Sequence, residues 1–193
     1  MILNSTSNIQ QPVLENIMNL EPPSQQNQSQ EKLGLTSTDW NSEANSVKGK
    51  AFENLVFNDL VSKNYINIIE GCGPRNKREH PTVIRNAEGL RICSCDFVAE
   101  RDGIVEYIEA KGGYTNYTNP WGKQTAGARR CDSVKKALWN GTRFKKYVPN
   151  SRYVIYFSQE PRPGTISDLN IKDALEDNIV DEVRYLHFYE TID

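Results

Sequence analysis

Asp96, Glu109 and Lys111 are the residues whose types and spacing most clearly point to chemistry. Between the two carboxylates, Asp102-Gly103 separates two runs rich in strand-forming residues, a pattern that predicts two antiparallel strands joined by a two-residue type I′ turn. In that register Asp96 lies directly opposite Glu109, with the Cβ atoms about 4.5–5.5 Å apart. Lys111 follows Glu109 by two residues, so it projects from the same face of the strand.

Two carboxylates at that separation repel each other and destabilise a sheet unless a cation lies between them. Mg²⁺ prefers carboxylate oxygens and water as ligands, and Mn²⁺ accepts the same donors. A Mg²⁺ site beside an ammonium group has what phosphodiester cleavage needs: an activated water, stabilisation of developing charge and help for the leaving oxygen. The alternative interpretation is an exposed strand face with ordinary charges.

The charge of the chain is distributed unevenly. Its net charge of −2 argues by itself against a nucleic-acid partner, but residues 119–152 contain nine Lys or Arg and one Asp, so this segment carries +8 and the remainder −10. Such asymmetry predicts a surface that faces a polyanion, with a solvated basic helix as the alternative. Trp139, which lies in this helix, is expected to belong to the core. The residues expected to contact nucleic acid are Arg129, Arg130, Lys135 and Lys136 in the helix and Arg75, Lys77 and Arg78 in an earlier loop.

The elements that position these residues are predicted in the order of a helix, about three strands, and then a helix, a strand, a helix and a strand. Apolar residues at helical spacing predict a first helix that starts near Asn45 and runs through Lys63. Gly141 is a predicted stop for the basic helix, and Ser167 is a predicted cap for the last one. The remaining predicted elements are strands at about 65–69, 90–99, 104–111, 153–157 and 183–189, and the basic helix at about 124–140. This order predicts an α/β fold with a mixed central sheet flanked by helices.

Residues 1–44 are predicted to form a disordered or partly helical N-terminal arm, ahead of a folded domain at 45–193. The arm is rich in Asn, Gln and Ser, as in the run Pro22–Gln30, and too poor in apolar residues to form a core. The sequence has no run of about 18 apolar residues, which excludes a transmembrane helix, and its N-terminus lacks the basic and apolar segments of a secretory signal. A cytoplasmic location without a membrane partner is therefore expected.

The cysteine content also favours a cytoplasmic location. Four cysteines are too few for a disulfide scaffold in a chain of 193 residues. Cys72, Cys93, Cys95 and His80 have the donor atoms for a zinc site, but Cys-x-Cys is not a usual zinc-binding spacing. Free cysteines are often simply buried, and we favour that interpretation.

Asp96, twelve further residues and then Glu109-Ala110-Lys111 resemble the signature of the PD-(D/E)xK nuclease superfamily. The helix that contains Gly49-Lys50-Ala51-Phe52-Glu53 is similar to the helix that often precedes the core of that family and carries an additional acidic residue. One departure is Cys95, which stands where the family signature has proline. The resemblance covers about residues 45–160 and implies a restriction-endonuclease-like αβββαβ core, here followed by a helix and a strand at the C-terminus.

The same resemblance implies a Mg²⁺-dependent DNA endonuclease, either restriction-like or a mobile-element or phage-associated cutter. Asp96, Glu109 and Glu53 would hold the metal, Lys111 would orient or activate the attacking water, and Gln124, at the start of the basic helix, would orient the phosphate or the water. The expected substrate is double-stranded DNA, and a homodimer is expected because double-strand cutting requires two active sites. Two alternatives stay open: a catalytically idle nucleic-acid-binding or assembly protein with the same fold, and a non-enzymatic adaptor recruited through the N-terminal arm.

Overall fold

The computed structural model describes residues 42–71, 80–114 and 126–189. Within these residues a helix is followed by five strands, and two further helices then alternate with two strands. None of these helices is long and apolar enough to cross a membrane. The first half contains helix α1 (Ser42–Ser62) and strands β1 (Ile66–Glu70), β2 (Val83–Arg85), β3 (Arg91–Ser94), β4 (Phe97–Arg101) and β5 (Ile104–Lys111). The second half contains a 3₁₀ turn (Gly127–Arg129), α2 (Cys131–Tyr147), β6 (Arg152–Phe157), α3 (Ile166–Glu176) and β7 (Glu182–Tyr185).

A five-stranded mixed sheet with the order β1-β4-β5-β6-β7 forms the centre of the fold. β1, β4 and β5 pair in antiparallel fashion, whereas β5, β6 and β7 are parallel. Parallel pairing of β5 with β6 requires a crossover connection, and α2 lies in that connection. β2 and β3 form a separate two-stranded sheet. The predicted α/β class, with a mixed sheet flanked by helices, is thereby confirmed.

The sheet separates two apolar clusters, one under each helical layer. Each helix buries one stripe of apolar side chains: Phe52, Val56 and Leu60 from α1, and Val134, Ala137 and Phe144 from α2. Strand β5 contributes to both clusters, because alternate side chains point to opposite faces. Ile108 belongs to the α1 cluster, and Tyr107 packs against the α2 cluster. The odd-numbered side chains of β5 therefore point toward α2, and the even-numbered ones point toward α1.

The hairpin register predicted from Asp102-Gly103 is confirmed. The two turn residues have positive φ angles of 55° and 75°, as a type I′ turn requires. β4 pairs with β5 from Arg101↔Ile104 to Phe97↔Ile108. The next pair in this register is Asp96 and Glu109.

The predicted single strand at 90–99 is wrong, because the chain breaks there into β3 and β4, which belong to different sheets. The break falls at Cys95 and Asp96. The Cys95 amide donates to the Thr82 carbonyl beside β2, and the Asp96 amide donates to the Ile108 carbonyl of β5. Backbone hydrogen bonding thus passes from one sheet to the other within two residues. Strand β2 has no counterpart among the predicted elements.

The boundaries of the first two helices also differ from the prediction. α1 begins at Ser42, three residues inside the predicted arm, whose remaining residues lie outside the described part of the chain. α2 begins at Cys131 rather than near 124 and continues to Tyr147, so Gly141 is not a stop. A Cβ on Gly141 would lie 2.9 Å from the Ile179 carbonyl oxygen. The glycine therefore allows α2 to pack closely against the segment that follows α3.

The C-terminal elements need two smaller corrections. The cap of α3 is Thr165, whose hydroxyl accepts a hydrogen bond from the Asp168 amide. Ser167, the predicted cap, is buried inside the first turn of the helix. The last strand, β7, ends at Tyr185, four residues earlier than predicted.

Trp139 is not a core residue, because 60% of it is exposed. The buried residues of α2 are Val134, Ala137, Gly141 and Phe144. At about 3.6 residues per turn, Trp139 lies about 200° around the helix from Ala137. That rotation places the indole on the side of α2 that faces away from the sheet.

Candidate active site

Asp96, Glu109 and Lys111 meet at the carboxyl end of β5. The Lys111 ammonium is 3.7 Å from Asp96 Oδ2 and forms an ion pair with Glu109 Oε1. β6 runs parallel to β5, with Phe157 beside Lys111, so the carboxyl ends of two parallel strands share this edge of the sheet. Open α/β sheets bind their ligands at such edges.

Backbone hydrogen bonds hold Asp96 in place. Its amide donates to the Ile108 carbonyl at 2.9 Å, and its carbonyl accepts the Gly71 amide hydrogen at 2.6 Å. Its side-chain Oδ2 accepts the Ala110 amide hydrogen at 2.8 Å. A Cβ on Gly71 would come within 3.0 Å of the Cys95 and Asp96 carbonyl oxygens, so this approach requires glycine. The carboxylate is therefore oriented by the fold itself, with 27% of its side chain exposed.

Glu109 is almost fully buried, with 5% of its side chain exposed. Asn140 of α2 donates an amide hydrogen to Glu109 Oε1 at 3.3 Å. Burial and the nearby Asp96 charge raise the pKa of Glu109 to about 7, although the Lys111 ammonium and Asn140 act in the opposite direction. A buried carboxylate in this setting is stabilised in its charged form by any further cation that comes close.

Lys111 places one positive charge beside the two carboxylates. Its burial opposes protonation, but the charges of Glu109 and Asp96 outweigh that effect and raise the pKa of the ammonium. Its Nζ also donates to the Ala110 carbonyl at 3.3 Å. The group is therefore a fixed positive charge at neutral pH, which donates hydrogen bonds and stabilises anions.

Glu53 approaches the same edge from α1, on the other side of the sheet. Burial and the Asp96 charge raise the pKa of Glu53, whereas Lys50 and Lys111 lower it. The Glu53 carboxylate pairs with Lys50 Nζ at 3.3 Å. Glu53 is thus linked to Asp96 and Lys111 through charge, and to Lys50 through direct contact.

The carboxylate oxygens at this edge of the sheet meet only part of what a hard divalent cation requires. Asp96 and Glu109 supply the carboxylate oxygens that Mg²⁺ prefers, and this ion is often held by one or two carboxylates with water completing its shell. Across residues 42–71, 80–114 and 126–189, however, no three His, Cys, Asp or Glu side chains are gathered closely enough to hold a metal. Glu53 is therefore not part of a preformed three-carboxylate shell, and the Lys111 ammonium lies between the other two carboxylates.

The described cysteines near the site are buried thiols, as expected. Cys93 and Cys95 are both buried, and the Cys95 thiol donates to the Phe97 carbonyl at 3.1 Å. His80 Nδ1 lies 2.9 Å from the Thr82 hydroxyl. Cys72, the other ligand of the zinc alternative, lies outside the described residues.

The four basic residues predicted in the helix lie at the start of α2 and along its exposed side. Arg129 belongs to the 3₁₀ turn that precedes α2, and Arg130 pairs with Asp132 at 3.0 Å. Lys135 and Lys136 are exposed on α2 itself. The other predicted nucleic-acid contacts, Arg75, Lys77, Arg78 and Gln124, lie outside the described residues.

Asn140 is the site residue that the sequence analysis missed. It lies three residues after Ala137 and four before Phe144, which are both buried on the sheet-facing side of α2. A polar residue at this spacing interrupts an apolar stripe, and a buried polar side chain needs a hydrogen-bond partner. That interruption was the available signal, and the partner is Glu109.

No protein-family model, curated protein or solved structure matches the chain. The site therefore has to be interpreted from its own geometry. That geometry joins two oxygen donors, one fixed ammonium and one amide donor at the edge of a sheet.

Proposed function

We propose that the chain is a Mg²⁺-dependent endonuclease that hydrolyses phosphodiester bonds of DNA and has the restriction-endonuclease-like core of the PD-(D/E)xK superfamily. The observation that carries the proposal is the cluster at the end of β5, where the Lys111 ammonium lies within 3.7 Å of both Asp96 and Glu109. The order α1, β1, β4, β5, α2, β6 supports the proposal as well. It follows the αβββαβ order once the separate sheet of β2 and β3 is treated as an insertion.

Asp96 and Glu109 would hold the Mg²⁺ ion, with Glu53 as the third candidate ligand. When bound, the ion supplies an activated water and neutralises charge on the phosphate, and Mn²⁺ suits the same oxygen donors. The chain itself prepares both ligands. The Ala110 amide orients Asp96, and the Asn140 side chain orients Glu109.

Lys111 would act on the phosphate and on the attacking water through its positive charge. Because its pKa is raised, the ammonium cannot take a proton from water at neutral pH. It can donate hydrogen bonds to a phosphate oxygen and stabilise the negative charge that develops there during hydrolysis. Its place in the proposed mechanism is therefore charge stabilisation and orientation of the water rather than general base catalysis.

DNA would reach this site along the basic segment that begins before α2. Arg129, Arg130, Lys135 and Lys136 would contact phosphates, and such contacts position a duplex without reading its sequence. Cutting both strands of a duplex would require two copies of the site. We therefore include a homodimer in the proposal, with nicking as the expected activity of a single copy.

Cleavage of supercoiled plasmid in the presence of Mg²⁺, Mn²⁺ or EDTA tests the proposal directly. We expect nicked or linear DNA with either metal and unchanged plasmid in EDTA. Asp96→Asn and Glu109→Gln should abolish conversion. Lys111→Met should slow single-turnover cleavage by about 10²–10³-fold, by analogy with the loss of one preorganised oxyanion donor. Additional Mg²⁺ should not rescue the Lys111→Met protein.

Asp102→Asn is the matched control for these variants. It makes the same change from carboxylate to amide on the same hairpin, at a side chain that is 87% exposed, and Asn-Gly suits a type I′ turn as well as Asp-Gly does. This variant should cut at the parent rate. A parent protein without metal-dependent cleavage, or an Asp96→Asn protein as active as the parent, would refute the assignment.

A catalytically idle nucleic-acid-binding protein is the second candidate, and two observations favour it. The Lys111 ammonium already lies between the two carboxylates, and the described residues contain no preformed group of three metal ligands. Such a protein would bind DNA equally well in Mg²⁺ and in EDTA and would leave the plasmid intact. Asp96→Asn would then change stability without changing any activity.

A further inference from the structure

An aromatic and basic patch lies on the outer side of α2. Trp139, which is 60% exposed, lies beneath the guanidinium of Arg143, whose Cζ is 5.1 Å from the ring centroid. Together with Thr142, Lys146 and Tyr147, these residues line a surface depression of about 260 Å³. We refer to these five residues as the Trp139 patch.

The depression is smaller than the pockets of about 300–1,000 Å³ that enclose small-molecule ligands, so it suits one planar group of a larger ligand. Exposed aromatic rings in a basic setting bind nucleobases by stacking. Arg143 covers one face of the Trp139 ring, and the 60% exposure of the residue leaves part of the indole accessible to such a group.

Lys136, three residues before Trp139 on α2, extends the two cations of the patch, Arg143 and Lys146. No ion pair among the described residues involves Lys136, Arg143 or Lys146. By contrast, the neighbouring Lys145 pairs with Asp181. The unpaired cations and Trp139 follow one another at intervals of three or four residues, so they share one side of the helix. This side is therefore complementary to an anionic chain that also carries planar groups.

The patch lies on the same helix as one residue of the candidate active site. Asn140, the residue after Trp139, donates its amide hydrogen to Glu109. Arg143 Nη1 donates to the Ile92 carbonyl of β3 at 3.5 Å. A strand that lies on the patch would therefore be held by the helix that also orients Glu109, on the side of that helix that faces away from the sheet.

We propose that the Trp139 patch binds a nucleic-acid strand with unpaired bases, with one base stacked on Trp139 and the flanking phosphates on Lys136, Arg143 and Lys146. The inference rests on the proposed function, because it defines the substrate of that site as DNA that carries a single-stranded segment. Stacking on an aromatic side chain reads no sequence but requires a base that has left the duplex stack. The cations supply the salt-dependent part of binding.

Fluorescence anisotropy in EDTA tests binding without cleavage. The probes are a labelled oligo-dT of about 15 nucleotides, within the site sizes of single-strand-binding folds, and a blunt duplex of the same length. For the single strand, Trp139→Ala should raise Kd by about 5- to 140-fold, the equivalent of one lost base–aromatic stack. Trp139→Phe should retain most of the affinity, and neither change should affect the duplex.

Two further sets of variants complete the test. Arg143→Gln and Lys146→Gln should each lower the log–log salt slope for the single strand by about 0.7. Leu169→Ala and Lys172→Gln are the matched controls, because they remove an exposed apolar side chain and an exposed charge from α3 at positions that do not line the depression. Both should bind like the parent.

The outcomes separate this inference from the proposed function. Single-strand binding that depends on Trp139, in a protein that never cuts plasmid, would support the patch and refute the nuclease. Cleavage by a protein whose single-strand Kd is unchanged by Trp139→Ala would support the nuclease and refute the patch. Equal losses in Trp139→Phe and Trp139→Ala, or equal losses for single strand and duplex, would overturn base stacking. Because the indole is exposed, thermal melts should show that these variants stay folded.

Discussion

Gly112 and Gly113, directly after β5, are expected to respond in opposite ways to the same substitution. A Cβ on Gly112 would fall less than 3.0 Å from three ring atoms of Phe52, closer than real Cβ atoms approach. Phe52 is fully buried, so its ring cannot move aside into solvent. A Cβ on Gly113 would meet nothing within 4 Å. Gly112→Ala therefore overpacks the α1 side of the core, and Gly113→Ala does not.

The loss of stability expected for Gly112→Ala follows from what surrounds Phe52. Overpacking a filled core typically costs about 1–3 kcal/mol. We expect about 2–3 kcal/mol for Gly112→Ala, because the clash involves a rigid ring that also packs against Phe188 at a centroid distance of 6.2 Å. For a domain of about 150 residues this corresponds to a decrease in Tm of about 4–12 °C. Gly113→Ala should be neutral or stabilise by up to about 1 kcal/mol, because alanine restricts the unfolded chain.

Urea unfolding followed by circular dichroism measures both effects, and a double variant tests their cause. Phe52→Leu shortens the side chain that the new methyl group meets. If the contact is responsible, Gly112→Ala and Phe52→Leu should be non-additive, with a favourable coupling of about 1 kcal/mol or more. A Gly112→Ala protein as stable as Gly113→Ala, or strictly additive free energies, would refute this reasoning.

Three further predictions concern stability and thiol reactivity. Arg184→Met should destabilise the protein by about 3–5 kcal/mol in urea unfolding, because it leaves the buried Glu106 with one partner fewer, and adding Glu106→Gln should recover part of that loss. Thr165→Ala removes the hydroxyl that caps α3 and should lower the free energy of unfolding by about 0.5–1 kcal/mol. Burial raises the pKa of Cys93 to about 11, so iodoacetamide at pH 8 should modify the half-buried Cys131 and spare Cys93 until the pH approaches 11. Mass spectrometry checks the last point, and equal labelling of the two thiols at pH 8 would contradict it.

The hairpin was predictable because its determinants are local. Asp102-Gly103 fixes the turn, and the turn fixes every pair as far as Phe97↔Ile108. The break at Cys95 and Asp96 was not predicted, since strand-forming residues lie on both sides of it, Ile92 before and Phe97 and Val98 after. Its cause is tertiary: the partners of these two amides, the Thr82 and Ile108 carbonyls, belong to different sheets.

The errors on α2 have two different origins. Gly141 is a residue type that often ends a helix. A side chain there would meet the Ile179 carbonyl and the Tyr153 ring, which belong to parts of the chain that no local pattern relates to it. Trp139 and Asn140 were within reach of sequence reasoning. The buried positions of α2 define one side of the helix, which sets Trp139 outside and Asn140 inside. Here the assumption that a tryptophan belongs in the core overrode the periodicity.

Strand β5 carries two buried carboxylates, and the contrast between them bears on function. Glu106, which is 2% exposed, accepts the Tyr65 hydroxyl hydrogen at 2.6 Å. It also pairs with Arg184 at 3.3 Å and with Arg152 at 3.6 Å. Two guanidinium groups and a hydroxyl satisfy this carboxylate within the protein, as buried charge requires. Glu106 therefore needs no ligand to be stable.

Glu109, three residues later, points to the opposite face of the sheet and has fewer partners. It shares one ammonium, that of Lys111, with Asp96, and it accepts one amide hydrogen from Asn140. With both carboxylates ionised, two negative charges face one positive charge in a largely buried position. Such an excess is stabilised when a further cation binds, and Mg²⁺ is the cation whose preferred ligands these are. The same strand thus holds one carboxylate that completes the core and one that is suited to bind a ligand.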